Sequence, residues 1–137
     1  HLHGKPKDHG ARLMIDTYAK RVSSRGISVV FHSGRISPEE YEERIGSVVG
    51  DVIILDQGGK QTSSTEFAKT IQESSMSENT LNMAIGPPDG FTREAKNKFP
   101  SISLSAMTFP HELAAAMLLE QVYRACEINR GSSYHRE

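Results

Sequence analysis

The strongest constraint in the sequence is the apolar run Val52-Ile53-Ile54-Leu55, set between Gly50-Asp51 and Asp56-Gln57-Gly58-Gly59. It has the length of a strand, and its lack of alternation implies burial on both faces, as in a parallel sheet covered by helices on either side. The flanking segments keep to that plan. Leu13, Met14, Tyr18 and Val22 recur at helical spacing between Asp8 and Ser24, and Gly26 stops that helix. Ile27–Phe31 is short and β-branched, which predicts a strand. Ser37-Pro38-Glu39-Glu40 supplies a cap, a first-turn proline and acids at the positive end of a helix running to about Val49, where Gly50 ends it. After the polar loop 56–62, Ser63 or Ser64 caps a further helix with Glu66 in its first turn. A strand over Thr80–Ile85 leads to the turn Gly86-Pro87-Pro88-Asp89-Gly90. A short helix (Thr92–Phe99), a short strand (Ser101–Leu104), a long helix (His111–Asn129) and an exposed tail from Arg130 to Glu137 complete the pattern. Alternating strands and helices predict an α/β fold with a mostly parallel sheet flanked by helices.

A chain of 137 residues suits one domain, spanning 1–137. Folding at this size buries about two-thirds of the unfolded surface, enough for a core without staples. The opening Leu2-His3-Gly4-Lys5 reads as the end of a strand whose beginning is missing. A single cysteine excludes a disulfide framework and a multi-cysteine zinc site, and no metal is expected. No apolar run reaches the ~18 residues of a membrane span, and no secretory pattern opens the chain. These features predict a soluble, cytoplasmic protein with no membrane partner. The net charge of −1 is unevenly spread: residues 1–35 carry +5 and residues 36–78 carry −6. Lys5, Lys7, Arg12, Lys20, Arg21 and Arg25 thus offer either a phosphate-binding surface or a solvated helix face.

Known phosphate cradles fail. A P-loop around Gly59-Lys60 needs glycine at 54 and Ser or Thr at 61, where Ile54 and Gln61 stand. Three loops remain, each leaving the C-terminal end of a strand: after Leu55, from Gly86 to Gly90, and from Leu104 to Phe109. Open α/β sheets bind ligands beyond those strand ends. Leu104-Ser105-Ala106-Met107-Thr108-Phe109 is apolar yet punctuated by hydroxyls, as suits a wall around an aromatic base, although core packing explains it equally. Leu113, Met117, Leu118, Val122 and Cys126 form an apolar stripe beside Ala114-Ala115-Ala116, which is either core or a dimer interface.

The loops also carry a resemblance. Leu55-Asp56-Gln57-Gly58-Gly59-Lys60, Ile85-Gly86-Pro87-Pro88-Asp89-Gly90, Ser103 through His111, Glu120-Gln121-Val122-Tyr123-Arg124-Ala125 and Tyr134-His135-Arg136-Glu137 occur in the order seen in the RlmH family. This family comprises small SPOUT-class methyltransferases acting on pseudouridine in large-subunit ribosomal RNA, and the resemblance covers the chain from about Val52 onward. Two positions depart from it: Pro87 stands where the family has a second glycine, and Ser132-Ser133 where it has His-Pro. The resemblance implies a SPOUT-type fold with a C-terminal trefoil knot. It implies S-adenosylmethionine held by Leu55, Gly86 and the stretch Leu104, Ser105, Ala106, Met107, Thr108 and Phe109. A homodimer built on the long C-terminal helix is implied as well, with Tyr134, His135 and Arg136 as the catalytic group acting at N3 of the base. The competing readings are a catalytically silent, dimeric RNA-binding protein and a SPOUT enzyme with another RNA target.

Overall fold

The computed structural model describes residues 1–136. Its elements are β1 (Leu2–His3), α1 (His9–Ser23), β2 (Phe31–His32), α2 (Pro38–Gly46), β3 (Asp51–Gln61), α3 (Ser64–Met76), β4 (Leu81–Ala84), α4 (Arg93–Lys98), β5 (Ser101–Ser103) and α5 (His111–Asn129). Every strand pairing is parallel: β1 with β2, and β3 with both β4 and β5. His1 N donates to Met83 O at 2.7 Å and Ile85 N donates to His1 O at 2.9 Å. Those two bonds join the pairs into one order, β2-β1-β4-β3-β5.

Both faces of the sheet are covered. Ile54 packs with Tyr41, Ile45, Phe91 and Ala95 of the α2/α4 layer. Its neighbour Leu55 packs with the opposite layer, which includes Ile15, Phe67, Ala116 and Val122 of α1, α3 and α5. Successive residues of β3 thus serve opposite cores, which is why the run 52–55 is apolar throughout. The helix starts follow from side-chain caps: the Asp8 carboxylate accepts from Ala11 N at 2.8 Å, Ser37 Oγ from Glu40 N at 3.1 Å, and Ser63 forms a reciprocal box with Glu66. Helices α1 and α5 lie side by side and parallel. Glu112 accepts from the backbone of Lys7 and Asp8 at one end, and Arg25 pairs with Glu127 at 2.8 Å at the other.

Several boundaries differ from expectation. Helix α2 stops at Gly46, not Val49, and Gly50 turns the chain into β3 at φ +99°. There a Cβ would stand 2.0 Å from Thr80 O, so only glycine fits. Pairing of β2 begins at Phe31, because its partner β1 is two residues long. The 56–61 segment continues β3 after a register slip: Leu55 and Lys60 both pair with Ile102.

The tail is the largest correction. It was expected to be exposed, yet Tyr134 and His135 are half-buried against α5; Glu137 lies outside the described residues. Gly131 at φ +74° reverses the chain, and Ser132 N donates to Glu127 O at 3.0 Å. Tyr134 Oη then donates to Glu120 Oε1 at 3.0 Å, while its ring meets Tyr123 edge-on at 4.9 Å.

Candidate active site

The three strand-end loops converge on one cavity of about 320 Å³. Leu55, Gly86, Leu104, Ser105, Met107, Thr108 and Phe109 line it; of the residues singled out in the sequence, Ala106 alone among the cofactor group does not. The third loop is braced internally. Ser103 Oγ donates to Ser105 O at 2.6 Å, and Ser105 Oγ accepts from Met107 N at 3.0 Å. Thr108 Oγ1 donates to Gln57 Oε1, which ties the third loop to the first.

The second loop is braced from below. Tyr41, fully buried, donates its hydroxyl to Ile85 O at 2.6 Å, immediately before Gly86. Gly86 is buried, and a Cβ there would press on the Phe91 ring at 3.1 Å. Pro87 lines the cavity, and its carbonyl accepts from Gly90 N at 2.8 Å, closing a turn with Gly90 at φ +84°. The start of α4 is fixed by Glu42, whose carboxylate accepts from Thr92 N and Thr92 Oγ1, both at 2.7 Å.

Phe91 and Lys96, which reading the sequence missed, also line the cavity, as do Asp56 and His111, which lie in the sequence motifs without an assigned role. Asp56 Oδ1 pairs with Lys96 Nζ at 3.1 Å, and its Oδ2 accepts from Gly58 N at 3.0 Å. Lys96 sits on an exposed helix face and carries no sequence signal. His111 opens α5 without capping it, since the N-cap is Pro110 and no side chain bonds there.

Tyr134, His135 and Arg136 do not line this cavity. His135 Nδ1 stands 3.2 Å from Arg124 Nη1, and the Arg124 guanidinium lies 4.9 Å over the Tyr134 ring. Burial, then the Tyr18 hydroxyl and Glu120, raises the Tyr134 hydroxyl above its ordinary range, so it remains a donor. A second depression of about 290 Å³ lies between tail and cavity, lined by Met14, Tyr18, Phe67, Met117 and Glu120. Leu104 lines both hollows. Among the described residues no helix is long and apolar enough to cross a membrane, and no group of three His, Cys, Asp or Glu is placed to hold a metal ion.

A parallel α/β sheet whose strand-end loops close on one cavity, with the last helix packed beside it, places this chain among the open α/β proteins that bind ligands beyond their strand ends. The family model described as "Predicted SPOUT methyltransferase" matches residues 2–135, and the chain belongs to that family. Its relatives include proteins named "Ribosomal RNA large subunit methyltransferase H". That of Clostridium novyi is 32% identical, over 97% of this chain and 95% of its own length. That of Prochlorococcus marinus is 35% identical, over 98% and 92%. That of Coprothermobacter proteolyticus is 46% identical across 86 residues, 61% of this chain and 62% of its own length.

Proposed function

We propose that this methyltransferase acts on large-subunit ribosomal RNA, moving a methyl group from S-adenosylmethionine to N3 of a pseudouridine. The observation that carries the reading is the convergence of three strand-end loops on one cavity in a chain of this family. The cavity fits the cofactor by volume and by chemistry. Its size lies at the lower end of small-molecule sites. Leu55, Ile85, Phe91 and Phe109 provide apolar walls for an adenine, and Ser105 and Thr108 provide hydroxyls. Asp56 and Asp89 against Lys96 leave the rim net negative, which suits a sulfonium cation. When bound, S-adenosylmethionine supplies an activated methyl group and needs no metal. The protein's part is alignment and stabilisation of the anion that forms as N3 loses its proton.

The active unit in this reading is a homodimer. Tyr134, His135 and Arg136 stand apart from their own cavity, since α5 rises about 9–15 Å between Ala114, which lines it, and Glu120–Arg124, which hold the tail. The depression between them has Met14 and Met117 in its wall. A second copy seated there would carry its tail toward the first copy's cavity. The trefoil knot belongs to the same reading. Its support is membership of the SPOUT family, whose model matches residues 2–135. Knots are otherwise nearly absent from proteins.

The test is a titration with S-adenosylmethionine followed by methylation of ribosomal particles and of transfer RNA. At 100 times its dissociation constant the ligand stabilises by about 2.7 kcal/mol, or about 9 °C for a chain of this length. A titration that gives no binding heat and no melting shift refutes the cofactor assignment. Methylation of transfer RNA alone refutes the ribosomal target.

A further inference from the structure

We propose that Arg124, held in place by Glu120, locks the His135 ring with its proton on Nε2, so that His135 meets the target base as a hydrogen-bond donor and not as a base. The role toward RNA rests on the methyltransferase reading above; the state of the ring does not.

The argument starts from what each group can do. A guanidinium only donates, and Arg124 Nη1 stands 3.2 Å from His135 Nδ1. Nδ1 therefore presents its lone pair. A neutral imidazole carries one N–H, so that proton sits on Nε2. A doubly protonated ring would set N–H against N–H and cation beside cation.

Arg124 is not free to turn away. Glu120 Oε1 accepts from its Nη2 at 2.6 Å and its Nε at 3.0 Å. The other carboxylate oxygen, Oε2, accepts from Gln121 Nε2 at 2.8 Å, and Tyr134 Oη donates to Oε1. The guanidinium is thus fixed by a carboxylate that is itself bonded from two further residues. Glu120 raises the Arg124 pKa, which keeps the donor charged.

The other edge of the ring is open. Among the described residues Nε2 has no hydrogen-bond partner, and it is not one of the buried side-chain atoms left without one. Nε2–H accordingly faces solvent. With Nδ1 occupied and Nε2 protonated, the ring has no lone pair left to take the N3 proton. What it offers is a neutral donor, and the pyrimidine carbonyls flanking N3 gain charge as that proton leaves to water. A donor there stabilises the charged form. Glu120 and Arg124 are then positioning residues that act through His135.

Two measurements on the full chain test this. In a long-range proton–nitrogen spectrum at neutral pH, His135 should show Nδ1 unprotonated and Nε2 protonated. In Arg124→Met the resonances should move toward a mixture of tautomers, with the melting temperature reporting the fold. A proton on Nδ1 in the native protein overturns the proposal. In methylation of ribosomal particles, His135→Gln keeps a donor at the ε position and should lose less than about tenfold. His135→Asn reaches only the Arg124 side and should fall about hundredfold, as His135→Ala does. Equal losses for Gln and Ala overturn the donor role. A native protein inactive on every RNA refutes the methyltransferase reading instead, and the spectrum still decides the ring.

Discussion

Tyr41→Phe is the most informative perturbation of the fold around the site. Tyr41 has no exposed surface, and its hydroxyl stands 2.6 Å from Ile85 O and 3.1 Å from His1 O. The one hydroxyl proton goes to the nearer carbonyl. Burial first, then the neighbouring Glu42 charge, raises its pKa far above the ordinary 10, so it never leaves as an anion. Phenylalanine keeps the ring and opens no large cavity, which isolates the hydrogen bond. The Ile85 carbonyl, in a residue only 3% exposed, would lose this donor. An unsatisfied buried acceptor costs about 1–3 kcal/mol. At an unfolding entropy near 2.1 cal/mol/K per residue, this length converts that cost to a melting decrease of about 3–10 °C. Circular dichroism at fixed protein concentration measures it, with and without S-adenosylmethionine, because Ile85 immediately precedes Gly86 in the loop proposed to hold the cofactor. The stabilisation by cofactor should shrink as well. A melting temperature within about 1 °C of the native protein would refute the reasoning.

Glu127 predicts an acid limb of stability. The Ser132 hydroxyl, then Arg130 and Arg25, hold its carboxyl down at about 2, from an ordinary 4.5. A depressed folded value means the stabilisation is present above the ordinary value and is lost as pH falls toward about 2. Melting temperature should therefore drop across that window in the native protein and more shallowly in Glu127→Gln; parallel curves refute the assignment. For the dimer, Met117→Glu places a carboxylate in the apolar depression beside Met14 and should yield monomers by light scattering at micromolar concentration. An unchanged mass moves the interface elsewhere.

Much of this architecture is legible in local chemistry. The caps at Asp8, Ser37, Ser63 and Thr92 satisfy helix-end amides within three residues of themselves, so no tertiary knowledge is needed to place them. The two-sided burial of 52–55 follows from composition alone. The register slip after Leu55 does not. Nothing in Asp56-Gln57-Gly58-Gly59 states that the chain returns to Ile102, because that pairing depends on a strand more than 40 residues away. Gly59 is the one local trace, legible only once the backbone of Ser101 and Ile102 is seen against it.

The site divides in the same way. Topology points to the three strand-end loops, and the family resemblance singles out Leu55, Gly86 and 104–109 within them, before the cavity is seen. Lys96 and Asp56 meet across the rim from α4 and β3, and neither position is unusual in its own segment. The tail was misread because a short polar terminus ordinarily gains too little from burial to be held. Here its side chains are satisfied one by one: Tyr134 by Glu120 and Tyr123, His135 by Arg124, and the turn by Glu127. That pattern bears on the proposed role of His135, because an imidazole on a loose end would sample both tautomers and many positions. In the proposed role, an imidazole bonded to a guanidinium that is itself fixed presents one tautomer in one place, which is the preorganisation that stabilising an imide anion demands.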